Sequence, residues 1–361
     1  MDTAARIKHL AHEHGFGSCG LATVPEDGHA PRALALQEWL SAGRDGPIDY
    51  VAKSAATRMN LRARFPWVKS ILCAAVYYDA QERGERGRDL SAHVARYARG
   101  RDYHLVLTKR LKALGQALEA AQLCGRAHYY VDTGPVLERA WAELAGVGWI
   151  GKNTCLIHPR HGSFMVLGEL LLDVAVVPDA AATDHCGSCR RCLDACPTGA
   201  LPQPGVLDAN RCIVTWNLEQ KGLVPEAQWA EQHGWAAGCD ICQTVCPFNA
   251  RTHAADVELL QPLPWQSMTL AEAIEMDEAT FDRAFAASAL RRTGWKGLRL
   301  GAITAAGNVG TKACRASLEK CLQDQDADIR ERAAWALCFI ACPGGKEETE
   351  DLVHRESHAD A

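Results

Sequence analysis

The chain has 361 residues, 48% of them hydrophobic, enough for two or three domains with a core each, which excludes a disordered or fibrous protein. Its 39 Lys and Arg against 44 Asp and Glu leave a formal charge of −5, which excludes coating nucleic acid by bulk charge. Sixteen cysteines are the one unusual count, below the density of a small disulfide scaffold, and they call for an explanation other than oxidation.

The N-terminus, MDTAARIKHLAHEHGF, has neither a positive region ahead of an apolar core nor a twin-arginine pair, so the protein is expected to stay in the cytoplasm. Ala5 to His14 and Ala33 to Ser41 have helical spacing, SILCAAVYY from Ser70 reads as a buried strand, and Tyr103 to Leu123 as a long amphipathic helix. Ala127 to Val131 is a strand, Val136 to Ala145 a helix, and Ser163 to Val177 one or two strands. The longest apolar run, Phe164 to Val177, is broken by Gly168, Glu169 and Asp173 and is no membrane span. The alternation predicts an α/β domain over residues 1–180.

Two segments of that domain invite a chemical reading. In VDTGPVLER, Pro135 suits the first turn of a helix, which makes Asp132 or Thr133 a cap or turn residue. A carboxyl at a strand end beside a helix start is also where catalytic groups sit, and spacing leaves both readings open. GVGWIGKN, from Gly146, satisfies G-x-G-x-x-G and comes within one residue of a phosphate-binding loop. Both motifs need a strand before the glycines, whereas Leu137, Trp141 and Leu144 have helical spacing, so both are rejected. The glycines are expected to end that helix, with Gly146 as its C-terminal cap.

Residues 181–255 hold half of the cysteines. Cys186, Cys189, Cys192 and Cys196-Pro have the C-x2-C-x2-C-x3-C-P spacing of a bacterial ferredoxin, whose fourth cysteine ligates the other cluster. That crossing puts Cys186, Cys189, Cys192 and Cys246 on one 4Fe-4S cluster and Cys212, Cys239, Cys242 and Cys196 on a second; a pair of four-thiolate zinc sites is the alternative. The other eight, Cys19, Cys73, Cys124, Cys155, Cys314, Cys321, Cys338 and Cys342, read as small buried hydrophobes. Residues 256–361 are helical. LRLGAITAAGN from Leu298 and IRERAAWALCF from Ile329 are similar units at a HEAT-like spacing. Arg283 to Lys320 carries eight basic residues and one acidic, a local patch able to hold phosphates.

YARGRDYH from Tyr97, VDTGPVLERAWAELAGVGWIGKNT from Val131, GSFMVLGELLLD from Gly162 and GCDICQTVCPFN from Gly238 together resemble the tRNA epoxyqueuosine reductases, cobalamin-dependent iron–sulfur enzymes of the last step of queuosine synthesis. The resemblance implies base-off cobalamin in residues 1–180, beside the second cluster, without a protein ligand to cobalt. Asp102 and His104 begin a D-x-H-x-x-G cobalamin motif, but Leu107 replaces its glycine. It implies Asp132 as general acid, and Arg58, Tyr97, Asp132, Arg139, Gly151, Lys152, Cys239 and Asp240 as residues lining the corrin. It implies that the HEAT-like end grips the anticodon arm of a tRNA with a modified wobble base through Arg291, Arg292, Lys296 and Arg299. CIVTWNLEQ from Cys212 and LRLG from Leu298 depart from the family's usual wording.

The expected reaction turns an epoxide into an alkene with two electrons, two protons and loss of water, Asp132 being kept protonated by burial. A low-potential electron donor and a monomeric enzyme are expected. Reductive dehalogenation, which also couples two clusters to cobalamin, and a non-catalytic electron carrier are the alternatives.

Overall fold

The apolar run from Ser70 forms strand β2 (Ser70–Tyr77), buried at all eight positions, in the computed structural model of the chain, which describes residues 2–79, 88–220, 223–250 and 255–341. With β1 (Ser18–Thr23), β3 (Ala127–Tyr130) and β6 (Met165–Leu172) it makes a sheet of order β1-β2-β6-β3. A strand reads as one continuous apolar run when both of its faces are covered. Gly168 and Leu170 of β6 meet the helix Tyr103–Ala120, and Leu167 and Leu171 join Trp141 and Ala142 of the helix Glu138–Leu144 in the opposite core. A side chain at Gly168 would stand 2.7 Å from Leu111, so this position carries none.

Every pairing in the sheet is antiparallel. The alternation of helix and strand is present, but the parallel sheet that an α/β domain implies is not. Alternation does not say which strand a re-entering strand will pair with: β2 and β3 run the same way, but β6 inserts between them in the opposite direction. Val136 is also outside its helix, which begins at Glu138, so Pro135 precedes the helix instead of opening it. The glycine segment follows that helix as expected. Gly146, at φ +76, ends it, and the remainder forms a hairpin of β4 (Trp149–Ile150) with β5 (Leu156–Ile157).

These elements belong to a unit made of Met1–Gln81, Gly100–Cys212 and Asp240–Gln261. A second unit comprises Glu82–Arg99, Ile213–Cys239 and Pro262–Ala361. Its helical part opens at Thr269, which accepts a bond from the Glu272 amide at 3.2 Å while Glu272 accepts one from the Thr269 amide at 2.7 Å. Such a reciprocal cap satisfies two donors left open at a helix start. The Ala-rich helices Gly294–Val309 and Ala327–Ala341 pack against each other, and small residues let them approach closely: Gly307 lies against Trp335 and Ala336. Cys73, Cys124, Cys314 and Cys321 are buried as expected; Cys19 and Cys155 are partly open and Cys338 is exposed, while Cys342 lies outside the described residues.

Candidate functional site

Asp132 follows β3 and sits in a three-residue turn at φ +56, closed by the Thr133 amide donating to the Val131 carbonyl at 2.5 Å. Left-handed backbone is costly for a residue with a side chain and is kept where surrounding contacts hold it. Here the Asp132 amide donates to Glu138 Oε1 at 2.6 Å, from the first residue of the next helix. Its carboxyl accepts from His104 Nε2 at 3.2 Å, while His104 Nδ1 donates to Asp102 Oδ1 at 2.8 Å. Asp102 also caps the Tyr103–Ala120 helix, so the turn that starts this helix orients the imidazole.

A histidine between two carboxylates favours the doubly protonated ring. Burial lowers the His104 pKa, but the bonds to Asp102 and Asp132 outweigh it and lift the ring to about 9. At neutral pH the pair therefore carries a proton beside an Asp132 side chain that is 43% exposed. Beside the burial expected from the corrin, the hydrogen-bonded neighbour thus offers Asp132 a proton. Sequence reading noticed His104 only as part of an incomplete cobalamin motif; its signal was its place, two residues after a capping aspartate.

Behind the turn, Arg58 is buried and donates to the Val136 carbonyl and to Ser54 Oγ, both at 2.8 Å. Arg139 donates to the Thr154 carbonyl at 2.5 Å. Asp240 is buried, and Gly151 sits in the hairpin against Ile157. Lys152, expected at the corrin, donates to the carbonyls of Gly187 at 2.6 Å and Cys189 at 2.7 Å. Tyr97 and Cys239 belong to the second unit.

Those Lys152 bonds give the glycine hairpin a role. On one side it holds the first cysteine run through Lys152 and through Trp149 Nε1, 3.4 Å from Cys186 Sγ. On the other, Asn153 donates to the Cys242 carbonyl of the second run at 3.2 Å. A cavity of about 90 Å³ beside it is lined by Cys186, Cys189, Cys192 and Cys246, the set that the crossing rule assigns to one cluster. Burial pushes the Cys192 thiol up to about 11, and Cys246, Cys186 and Cys189 push it the same way, so these thiols ionise together only around positive charge. That donor set fits a cluster. Cys155, read as core, contacts the Cys242 thiol instead, which lowers its own pKa against the effect of burial.

In the second unit, Arg291 lies 3.4 Å from Asp282 and Arg292 3.9 Å from Glu219, both side chains about half exposed. Lys296 pairs with Asp326 at 2.7 Å and Asp328 at 2.5 Å. Arg299 is buried, donating to the Ile274 carbonyl and to Asp324 at 2.9 Å each, so it does not present its charge to solvent.

Residues 58–133 match the family model described as epoxyqueuosine reductase QueG, and residues 185–249 match a 4Fe-4S double cluster binding domain. The chain is 42% identical over 322 residues to an epoxyqueuosine reductase of Gloeobacter violaceus, covering 87% of this chain and 99% of that protein. It is 37% identical over 347 residues to one of Xanthomonas campestris, covering 93% and 96%. A crystal structure of an epoxyqueuosine reductase with an epoxyqueuosine-modified tRNA-Tyr stem loop superposes with a TM-score of 0.83 at 30% identity, over 97% of this chain and 93% of that one.

Proposed function

The chain belongs to the epoxyqueuosine reductase family, and from that premise we propose that it reduces epoxyqueuosine to queuosine at the wobble position of tRNA, with Asp132 as the general acid. The observation that carries the assignment is the proton-bearing pair of His104 and Asp132, placed in a strained turn at the end of a sheet strand. Opening an epoxide leaves negative charge on oxygen, and a carboxyl fed by an imidazolium can neutralise it as it develops.

Cobalamin, when bound in residues 1–180, supplies a nucleophilic reductant recharged one electron at a time by the two clusters. The chain's own work is orientation and proton supply. Cys186, Cys189, Cys192 and Cys246 would hold one cluster, and Cys196, Cys212, Cys239 and Cys242 the other, in a segment spanning 181–255. Arg58, Tyr97, Asp132, Arg139, Gly151, Lys152, Cys239 and Asp240 are the residues proposed to border the corrin, and Lys152 also serves the cluster loop. Asp132 passes the proton of His104 to the epoxide oxygen, and a second proton, taken up from solvent by the same pair, lets that oxygen depart as water. Two electrons and two protons balance the step.

The HEAT-like segment, 256–361, would position the anticodon arm, whose loop bases are already accessible outside a duplex stack. Its half-exposed Arg291, Arg292 and Lys296 are suited to phosphates, and Arg299 supports them from inside. We assign the enzyme to the cytoplasm as a monomer, served by a low-potential electron donor; among the described residues no helix is long and apolar enough to cross a membrane.

Asp132→Asn keeps the shape of the turn and removes the acid. It should retain both clusters and cobalamin and lose about 10²–10⁴-fold in turnover, with epoxyqueuosine accumulating in tRNA nucleosides analysed by mass spectrometry. Unchanged turnover would overturn the assignment.

A further inference from the structure

Glu169 stands in the middle of β6, with none of its surface exposed, opposite Cys73 on β2 and Tyr130 on β3. Among the described residues no donor reaches either of its carboxyl oxygens, and the group that faces them is the carboxyl of Glu138. A buried carboxylate without a donor is strongly disfavoured. Two facing carboxyls away from water are stable in one arrangement, with a single proton between them, so that one donates and the other accepts. Glu138 is also the acceptor of the Asp132 amide, at 2.6 Å. A buried proton is thereby linked through one side chain to the backbone of the strained turn.

Building on the reading of Asp132 as the acid, we propose that Glu138 and Glu169 form a proton-sharing pair that latches the Asp132 turn, holding its carboxyl against His104 while the pair keeps its proton and releasing it when the proton is lost. Both are positioning residues. Once two negative charges face each other, Glu138 is driven off Glu169 and off the Asp132 amide, and the unfavourable backbone of Asp132 is no longer held.

The charged and titratable groups around the pair are Asp132, Arg58, Cys73 and Tyr130. Burial first, and then the Asp132 charge, push Glu138 up to about 7, with Arg58 pulling the other way. Burial and the Glu138 charge push Glu169 well above the carboxylate range, and the pair in turn pushes the Cys73 thiol up after burial has done so. Glu138 therefore ionises first and accepts from Glu169, and the latch opens only when Glu169 gives up the shared proton in turn.

The test follows the His104 ring by NMR in the cluster-loaded protein across pH, with turnover measured over the same range. In the wild type His104 should titrate in two steps, the first as the pair loses its proton and Asp132 moves away. In Glu169→Gln the amide donates to Glu138 at every pH, so one step should remain and the alkaline fall in turnover should move upward. Glu138→Ala removes the latch and should lower the His104 pKa by about one unit or more, while Glu138→Gln, which still accepts from Asp132, should restore it. A His104 titration indifferent to both Glu138→Ala and Glu169→Gln would overturn the latch. Full turnover in Asp132→Asn would overturn the acid assignment alone, because the His104 titration of the Glu138 and Glu169 variants does not depend on it.

Discussion

The Glu138–Glu169 pair and His104 hold protons in the fold more tightly than in the unfolded chain, and this fixes how stability depends on pH. For Glu138 the folded pKa lies above the unfolded value of about 4.3, so the native state binds more protons in between and stability falls as pH rises from about 4 to about 7; the contribution of Glu169, raised further, is lost above that range. For His104 the stabilisation is full below about 6.5 and is lost as pH rises toward about 9. The two windows follow one another. Urea titrations from pH 4.5 to 9 should show a continuous decline; Glu169→Gln should flatten its lower half and His104→Gln its upper half. Asp132 is singled out in the sequence by the family resemblance of VDTGPVLER, since spacing alone leaves a cap or turn role equally open. Glu169 is not. In FMVLGELLLD a glutamate reads as an interruption of an apolar run, and only the pairing of β6 with β2 brings it to Cys73 beneath the Glu138 helix.

At the scale of elements, the β4–β5 hairpin does something that its glycines do not announce. The pattern of GVGWIGKN led to the right rejection of a nucleotide motif, since a helix precedes it, but the target of Lys152 lies 35 residues or more along the chain. Lys152→Met should loosen the Cys186–Cys192 loop and leave about half the iron bound after exposure to air, one cluster of two, measured as iron and sulfide per chain. Loss of both clusters in equal measure would show that the hairpin grips the two runs as one. The antiparallel sheet was likewise hidden: periodicity locates strands, but their direction depends on where each connection delivers the chain.

For the whole molecule, charge needs its partners counted as well as its carriers. The segment Arg283 to Lys320 is strongly basic, yet Asp324, Asp326 and Asp328 follow just beyond it and neutralise Lys296 and Arg299. Ala-rich helices were visible in the sequence; which of their cations face inward was not. Arg291→Glu with Arg292→Glu should weaken tRNA binding and reduce the salt slope by about 0.9 for each phosphate that is no longer neutralised. Arg299→Ala should instead cost about 3 kcal/mol of stability, since it leaves Asp324 without its buried partner. Titrations of labelled anticodon stem-loop and thermal melts separate the two effects.

The interleaving of the two units also bears on how the protein is made. Arg110, on the long helix of the first unit, bonds to Asp256 at 2.7 and 3.0 Å and to Glu258 at 3.0 Å. These partners leave the ribosome 146 and 148 residues after it. The first unit therefore waits without the carboxylate partners of this guanidinium until the segment Ile213–Cys239 of the second unit has been synthesised, and a nascent chain arrested before residue 256 should be held by chaperones rather than folded.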